Sequence, residues 1–331
     1  MLKIYRDSDV DLAVLQGRRI AVIGYGSQGC AQSFMLKESG CDVVVGVRKG
    51  GKSWKNAQSD GHKVMEIAQA AKVADIIHLL LPDEIQAQVY GNDIMQYVTS
   101  GKTLSFSHGL NITFSLIKPP KGVDVIMVAP IAPGSEERKM YLENKGVPAY
   151  VAVHKNFTGK ALDTALAMAK AMKFTKVGVM EISFKQETFT DLFGEQVVVC
   201  GGLAELVRNG FDTLVESGFP EEVAYFECLH QVELLARLLR QKGIAGMWNE
   251  VSNTAEYGGR KVGPLIIGKS AKQKMRRVLK AVENGKFARE FIRECKRGMP
   301  ILQRLRKKDL DLPIEKTGER IRKMLGIAKE R

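Results

Sequence analysis

The chain has 331 residues, 45% of them hydrophobic, which is enough for two domains that each bury a core. No apolar run reaches the ~18 residues of a membrane span, and the start, MLKIYRDSDVDL, contains no apolar signal segment. The five cysteines are scattered and never spaced as CxxC, which argues against a disulfide framework and a zinc cluster. We therefore expect a soluble protein of the reducing cytoplasm with no membrane partner.

The formal net charge of +13 is concentrated at one end of the chain. Residues 269–331 hold 21 Lys and Arg against 8 Asp and Glu, so this segment accounts for the whole excess. Its basic residues surround apolar residues at helical spacing, which is typical of a solvated helix face, with a polyanion-binding stripe as the alternative. Because no nucleic-acid motif accompanies the charge, we expect no nucleic-acid partner.

The first half of the chain alternates β-branched runs with helical patterns. Segments such as GCAQSFMLKESG and HKVMEIAQAAKVA are amphipathic and predict helices. The predicted strands cover residues 18–24, 42–47, 74–81, 102–107, 123–129, 149–153 and 175–180. Apolar strands separated by helices predict a doubly wound, Rossmann-type parallel sheet covered on both faces. We assign this α/β domain to residues 1–182.

The second half changes to long stretches of helical period. ETFTDLFGEQVVVCGGLAELVRNG and PEEVAYFECLHQVELLARLLRQKG are two of them, and no later run predicts a strand. We therefore predict an all-helical domain over residues 183–331.

GYGSQG follows the first predicted strand and precedes a helix, with Gly24, Gly26 and Gly29 in GxGxxG spacing. The first glycine permits a tight turn, the second lets the backbone approach a pyrophosphate, and the third lets the helix pack closely on the sheet. Phosphates bind helix N-termini because the N–H groups and the dipole favour negative charge. The pattern predicts a dinucleotide site, with a structural Gly-rich turn as the alternative.

The end of the next strand, GVRKGGKSW, predicts which dinucleotide binds. An acid at this point would bind the ribose hydroxyl of NAD, but the chain has Arg48, Lys52 and Ser53 instead. A guanidinium, an ammonium and a hydroxyl suit a 2′-phosphate. We therefore expect NADPH.

Two pairs of polar residues at four-residue spacing lie in the helical half. TDLFGEQ places Asp191 and Glu195 on one helix face, and YFECLHQ does the same for Glu227 and Gln231. Such a pair is either a solvated edge or half of a metal site. Apolar neighbours around Asp191 and Glu195 indicate a partly buried helix, and buried carboxylates need a partner such as a hard divalent cation.

Seven segments, taken together, resemble ketol-acid reductoisomerase, of the short form, over essentially the whole chain. They are GYGSQG, LPDEIQAQVY, SFSHGLNI, TDLFGEQVVVCGG, YFECLH, VSNTAEYG and PIEKTGER. The resemblance implies conversion of 2-acetolactate or 2-aceto-2-hydroxybutyrate to a 2,3-dihydroxy acid with NADPH and two magnesium ions, in branched-chain amino-acid biosynthesis. It further implies a knotted helical domain and active sites completed in a homodimer or larger homo-oligomer.

The resemblance also implies roles for individual residues. Catalytic roles fall on His108, Asp191 and Glu195, metal ligation on Asp191, Glu195, Glu227 and Gln231, and substrate contacts on Glu227, Ser252 and Ala255. The implied cofactor site consists of Gly24, Tyr25, Gly26, Ser27, Gln28, Gly29, Arg48, Lys52, Ser53, Pro82, Asp83, Gln86, His108 and Gly134.

The chain departs from the family pattern at two positions. Gln231 stands where a fourth acid is expected, and Ile131 stands where a lysine is expected near the metals. Four carboxylates would balance two magnesium ions, whereas three leave a charge of +1. An amide oxygen ligates magnesium without adding charge, so we expect one well-held ion and a weak or lost second one at Gln231.

Three hypotheses remain open on these residues. The chain is a working reductoisomerase with compensated substitutions, a diverged paralogue that only reduces a 2-keto acid such as ketopantoate, or a non-catalytic oligomer partner. The retained Asp191, Glu195, Glu227, His108 and Ser252 argue against the third, because a structural protein has no need for that set of polar groups.

Overall fold

The computed structural model describes residues 2–327. The chain forms two compact units, which divide between Thr190 and Asp191, whereas the sequence suggested a boundary at residue 182. The last residues of the predicted helical domain and of its basic segment, 328–331, lie outside the described residues.

The first unit is built on a nine-stranded sheet with the order β1-β9-β8-β7-β6-β5-β2-β3-β4. Its strands are β1 Ile4–Tyr5, β2 Arg19–Ile23, β3 Asp42–Gly46, β4 Lys63–Met65, β5 Ile76–Leu79, β6 Thr103–Phe106, β7 Asp124–Pro130, β8 Ala149–Lys155 and β9 Val179–Glu181. The six strands from β4 to β7 are mutually parallel, which confirms the predicted Rossmann-type sheet.

The sheet is not parallel throughout. β8 pairs antiparallel with β7, β9 runs parallel to β8, and β1 is antiparallel to β9. An antiparallel edge on a parallel sheet is common. The apolar runs did not predict strand direction, because a high proportion of β-branched residues indicates burial and does not distinguish parallel from antiparallel strands.

Helices cover both faces of this sheet, so its strands are apolar on both sides. They are α1 Ser27–Glu38, α2 Lys52–Ser59, α3 Ile67–Val73, α4 Asp83–Val89, α5 Leu110–Thr113, α6 Gly134–Leu142, α7 Ala161–Ala171 and α8 Phe184–Gly194, which continues into the second unit. Alternate residues of β2 enter different cores: Ile20 and Val22 join one cluster, Ala21 and Ile23 the other.

Three local predictions were wrong. Residues 63–65, expected in a helix, form the edge strand β4, because Val64 pairs with Val45. The run at 175–180 begins as a 3-10 turn, and the strand starts only after Gly178, whose φ of +129° interrupts extended backbone. The two-residue strand β1 was not predicted.

The second unit is helical throughout its described residues, as predicted. Its helices are α9 Gly201–Glu216, α10 Glu221–Tyr225, α11 Gln231–Trp248, α12 Asn253–Ile266, α13 Lys269–Glu283, α14 Lys286–Lys296, α15 Pro300–Leu310 and α16 Pro313–Met324. Helix α11 is kinked at Gly243, where φ is +69°. Two stretches adopt the wider π-helical turn, Glu195–Val199 and Phe226–His230.

The helical unit buries little apolar surface of its own. Its main core is one small cluster around Val207, Phe211 and Tyr225 from α9 and α10 and Ile321 from α16. Many large apolar side chains are exposed instead, among them Val199, Leu234, Ile244, Tyr257, Leu265, Ile266 and Leu310. Within residues 2–327, no helix combines the length and the apolar character that a membrane crossing requires.

Candidate functional site

The turn between β2 and α1 has the geometry of a phosphate-binding loop. Gly24 has a φ of +107°, and a Cβ there would lie 2.6 Å from the Leu80 carbonyl oxygen, so only glycine fits. A Cβ on Gly29 would collide with the Gly24 carbonyl, which explains the close approach of α1 to the sheet. The GxGxxG spacing therefore reflects local steric requirements as well as function.

Gly26 marks the open side of this turn. A Cβ at Gly26 would have no heavy atom of the described chain within 4 Å. Gly26 is also the N-cap of α1 and has no side chain that could cap the first N–H groups of the helix. Space together with uncapped N–H donors at a positive helix end is the arrangement that holds a pyrophosphate.

The neighbouring predicted residues close the turn from the other side. Gly134, at the start of α6, lies so close to Ser27 that a Cβ would collide with the Ser27 carbonyl. The Gln28 amide nitrogen donates to the Ala132 carbonyl over 3.1 Å. Tyr25 is buried, and its hydroxyl donates to Asp60 over 2.8 Å, so burial and this contact raise the pKa of the phenol.

The basic residues after β3 lie at the start of α2. Gly51 is the N-cap of α2 and donates its N–H to the Arg48 carbonyl over 3.2 Å, which holds Arg48 beside the first helical turn. Lys52 and Ser53 are the first two residues of α2, and Arg48 and Lys52 are exposed. A cation pair at a helix N-terminus suits a phosphate.

A second polar group lies at the carboxyl ends of β5 and β6. Pro82 is the N-cap of α4, and Asp83 begins that helix. The Gln86 amide donates to the Asp83 carboxylate over 3.2 Å, and Asn111 donates to the Asp83 carbonyl over 3.0 Å and to Gln86 over 3.2 Å. These contacts fix Asp83 and Gln86 at the edge of the sheet where Rossmann-type folds bind ligands.

His108 is held by an acid that the sequence reasoning did not single out. Its Nδ1 lies 2.8 Å from Glu187 Oε1, while Glu187 Oε2 accepts the Gly109 N–H over 2.8 Å. Because a carboxylate only accepts, Nδ1 is the donor, and Glu187 thus fixes the orientation of the imidazole. The other ring nitrogen, Nε2, lies 3.9 Å from Asp83 Oδ2, which is too far for a hydrogen bond.

Glu187 could have been found from its spacing. Glu187, Asp191 and Glu195 recur every four residues, and only the last two were considered. The Glu187 side chain is 4% exposed, so water does not compete with the groups that donate hydrogen bonds to it. Asn111 was also missed, and nothing in the sequence pattern marks it.

The metal-site residues proposed from the helical half are exposed in the single chain. Asp191, Glu195, Glu227 and Gln231 all lie at the surface, so the first two carboxylates do not face a protein interior, although the helix that carries Asp191 is partly buried, as expected, at Leu192. Of the described acids, no trio that includes both Glu195 and Glu227 has its ligand atoms within 4.8 Å of one another. Their apolar neighbours Val198 and Val199 are exposed as well, because this unit leaves much of its apolar surface uncovered.

Glu195 and Glu227 both belong to π-helical turns. Glu195 opens the segment Glu195–Val199, and Glu227 is the second residue of Phe226–His230. π-turns of this kind are often found at functional sites. Gln231 follows the second segment, and its amide N–H donates a hydrogen bond to Glu227 Oε2 over 2.7 Å.

The remaining predicted residues lie in two other places. Ser252 is the N-cap of α12, and its hydroxyl accepts the Ala255 N–H over 3.2 Å, so these two candidate substrate residues are neighbours at an exposed helix start. Ile131 is 47% exposed in the loop after β7, and its N–H is bonded to the Pro148 carbonyl. A lysine at Ile131 would therefore reach solvent.

The geometry suits the two groups that the resemblance implies, a dinucleotide and magnesium, to different degrees. A dinucleotide fits, because the space at Gly26 and the uncapped turn of α1 match a pyrophosphate. Magnesium suits the carboxylate oxygens of Asp191, Glu195 and Glu227. It does not suit the amide nitrogen that Gln231 turns toward Glu227.

Comparison with known proteins covers both units. The model of the family described as acetohydroxy acid isomeroreductase, NADPH-binding domain, matches residues 14–178, and that of the ketol-acid reductoisomerase C-terminal domain matches residues 184–326. A ketol-acid reductoisomerase (NADP(+)) of Methanocaldococcus jannaschii is 51% identical over 100% of both chains. A ketol-acid reductoisomerase (NAD(+)) of the uncultured archaeon GZfos26G2 is 52% identical over 98% of this chain and 99% of its own.

A solved structure agrees with these relatives. An NADH-preferring ketol-acid reductoisomerase from an uncultured archaeon has a TM-score of 0.94 at 52% identity and covers 97% of this chain and 99% of its own. With whole-length identity near one half and matching models on both units, the chain belongs to the ketol-acid reductoisomerase family.

Proposed function

We propose that this chain is a working ketol-acid reductoisomerase. It would take 2-acetolactate or 2-aceto-2-hydroxybutyrate, one NADPH and one proton to a 2,3-dihydroxy acid and NADP⁺. The observation that carries the proposal is the whole-length likeness to enzymes of that name, at 51% identity over all of both chains in one case. The phosphate-binding turn at Gly26 and the oriented His108 support it.

The reaction has two stages with different requirements. Migration of an alkyl group to the neighbouring carbonyl carbon gives a 3-hydroxy-2-keto acid, and hydride transfer then reduces the new ketone. Bound magnesium would supply Lewis acidity in both stages, held by Asp191, Glu195 and Glu227. His108 can accept or release a proton at Nε2, since Glu187 keeps the other proton on Nδ1.

For the coenzyme we infer a preference for NADPH. Arg48, Lys52 and Ser53 at the start of α2 support it, because cations and a hydroxyl at a helix N-terminus favour a 2′-phosphate. The named relatives include both NADP(+) and NAD(+) enzymes at similar identity, so the overall likeness does not decide between them.

We further infer that the enzyme works as a homodimer or larger homo-oligomer. Exposed Leu234 and Ile244 on α11 and Tyr257 and Leu265 on α12 support this, because a monomer rarely leaves so much apolar surface in water. A second copy would cover this surface. It would also bring the pair Glu227 and Gln231 to the pair Asp191 and Glu195.

A narrower activity, reduction of a 2-keto acid alone, is the second candidate. Two observations favour it: Ile131 offers no charge, and Gln231 presents an amide nitrogen to Glu227. Both changes weaken the stage that polarises two oxygens, and hydride transfer needs charge neutralisation at only one carbonyl.

The test uses the whole protein with NADPH and magnesium. Turnover of both acetolactate and 3-hydroxy-3-methyl-2-ketobutyrate supports the reductoisomerase. Turnover of the keto acid alone supports the narrower reductase. Turnover of neither, with ketopantoate also inert, contradicts both and leaves a non-catalytic member of the family.

A further inference from the structure

A row of hydrogen-bonded polar side chains crosses the interior of the first unit, beneath the phosphate-binding turn. It runs from Ser105 on β6 to His78 on β5, then to Gln32 and Gln28 on α1, with Glu137 on α6 beside the two glutamines. Ser105, His78 and Gln32 are fully buried, and Glu137 is 1% exposed. Polar groups buried so deeply are costly unless each finds a partner.

The hydrogen bonds of this row all point in one direction. His78 Nε2 lies 2.8 Å from Gln32 Oε1, so it must donate, and Nδ1 then accepts from Ser105 Oγ over 2.9 Å. The Gln32 amide nitrogen donates to Gln28 Oε1 over 2.7 Å. Gln28 in turn donates an amide N–H to the Ala132 carbonyl, in the same direction along the row. Burial lowers the pKa of His78 to about 4, so the ring is neutral.

The row ends at the turn that the cofactor would occupy. Gln28 is in the first turn of α1, directly after Gly26 and Ser27. Ala132 precedes Gly134, which contacts the Ser27 backbone. The row therefore fixes the first turn of α1 against the loop after β7, and so sets the position of the N–H groups that face the open side at Gly26.

Glu137 is suited to this place only as a neutral acid. Its Oε2 lies 3.4 Å from the Gln32 amide nitrogen, a long contact, and its Oε1 has no hydrogen-bond partner among residues 2–327. Burial raises the pKa of this carboxyl to about 8. Glu137 is also one helical turn beyond Gly134, so its ionisation would add a negative charge close to the phosphate-binding turn.

We propose that Glu137, Gln32 and His78 are positioning residues for the dinucleotide, and that ionisation of Glu137 weakens dinucleotide binding. This rests on the proposed function only in so far as the turn binds a nicotinamide dinucleotide. Neutral Glu137 lets the row hold Gln28 in place, whereas the ionised form repels the pyrophosphate and competes for the amide donors of Gln28 and Gln32.

The other ionisable groups of the two helices do not supply this effect. They are Glu136, Arg138, Lys139 and Tyr141 on α6 and Cys30, Lys37 and Glu38 on α1. Arg138 pairs with Glu38 over 2.7 Å, Lys37 donates to the Gly61 carbonyl, and Lys139 is exposed. Glu136 is the neighbouring acid on α6 and the natural control.

The experiment measures NADPH binding directly, by fluorescence titration of the full chain without metal or substrate between pH 6.5 and pH 9.5. We expect the Kd of the unaltered protein to rise on the order of tenfold above pH 8. Glu137→Gln, which keeps the shape of the side chain but cannot ionise, should have a Kd for NADPH that does not change between pH 6.5 and pH 9.5. Glu136→Gln should keep the rise.

Two further readouts separate positioning from a general structural role. The infrared spectrum of the unaltered protein should contain the carbonyl stretch of a protonated carboxylic acid at pH 6.5, lost at pH 9.5 and absent from Glu137→Gln. Gln32→Leu, which interrupts the row, should raise the KM for NADPH several-fold at every pH and leave kcat at saturation nearly unchanged.

The outcomes are distinct. A rise in Kd that Glu137→Gln retains, or no protonated-acid band at pH 6.5, overturns the inference. Intact, pH-dependent NADPH binding without turnover of any acetohydroxy acid supports the inference and contradicts the proposed reductoisomerase. Absence of NADPH binding by the unaltered protein overturns both.

Discussion

The Gln231 side-chain amide donates a hydrogen bond to the Glu227 carboxylate over 2.7 Å. The amide nitrogen therefore faces the acid, and its oxygen faces away. For Gln231 to ligate a cation beside Glu227 the amide must turn over, which breaks this bond. The pair acts as an acid with a neutral neighbour, one carboxylate fewer than the family resemblance implies.

We expect Gln231→Glu to tighten magnesium binding by roughly tenfold, because a second carboxylate adds one negative charge beside Glu227. The magnesium dependence of turnover and calorimetric titration measure it. Gln241→Glu adds the same charge to an exposed position of α11 and should change neither. If the two variants respond alike, position 231 does not face the ions.

Ile131→Lys should raise turnover of acetolactate relative to that of 3-hydroxy-3-methyl-2-ketobutyrate. The side chain is 47% exposed, so a lysine there retains its hydration, and its charge can stabilise developing negative charge in the migration stage. The ratio of the two rates is the measurement. Leu142→Lys, exposed on α6, is the matched control, and an equal ratio in both variants would refute a role for position 131.

Arg48→Gln should raise the KM for NADPH about tenfold to a hundredfold, since a hydrogen bond to a charged group contributes roughly 1.5–3 kcal/mol. The KM for NADH should change little, because NADH has no 2′-phosphate. Lys55→Gln, exposed further along α2, removes one positive charge and should leave both constants near their original values. Parallel losses with both coenzymes would show that Arg48 does not contact the 2′-phosphate.

Glu187→Gln should lower kcat for keto-acid reduction on the order of tenfold to a hundredfold and shift its pH profile. The amide cannot accept from both His108 Nδ1 and the Gly109 N–H as the carboxylate does, so the imidazole loses its fixed tautomer. Lys185→Gln, exposed on the same helix, should leave the profile unchanged. An unaltered profile in Glu187→Gln would remove His108 from proton transfer.

Glu137→Gln should also change how stability depends on pH. The folded-state pKa of Glu137 is raised from 4.5 to about 8. Between these values the carboxyl is ionised in the unfolded chain and protonated in the folded one, so the contribution of Glu137 is fully present below about pH 4.5 and is lost as pH rises to 8. The slope is at most about 1.4 kcal/mol per pH unit.

Chemical denaturation at pH 5 and pH 8 measures this effect. The free energy of unfolding of Glu137→Gln relative to the unaltered protein should increase by roughly 3 kcal/mol between the two pH values. Glu136→Gln should show no such change. A constant difference would mean that Glu137 has the same pKa in the folded protein as in the unfolded chain, and so is already ionised well below pH 8.

Much of the sheet was accessible from the sequence because central strands are long, apolar and buried on both faces. The short edge strands β1 and β4 were not predicted, because a run of two or three residues is too short to show the alternation of a strand. The segment Lys63–Met65 also adjoins a helix of similar composition. Glycine spacing predicted the phosphate turn because the steric cause is local, as the contacts of Gly24 and Gly29 show.

The candidate site was less accessible where partners are distant in the chain. His108 meets Glu187, and Gln32 meets both His78 and Glu137, only after folding. His78 and His62 are both buried. The exposure of Asp191 and Glu195 was not predicted. Their apolar neighbours suggested a buried position, but the single chain leaves these two side chains at its surface.

The π-helical turns at Glu195–Val199 and Phe226–His230 have a consequence for how this chain can vary in length. Each turn accommodates one residue more than an α-turn, and one residue corresponds to about 100° of rotation in a regular helix. Deleting a residue from the first segment would turn α9 about its own axis and carry Val207 and Phe211 out of their core. The extra residue of the π-turn thus sets the angle between the acidic face and the apolar face of the helix. A relative that lacked this residue would need a compensating change further along the helix.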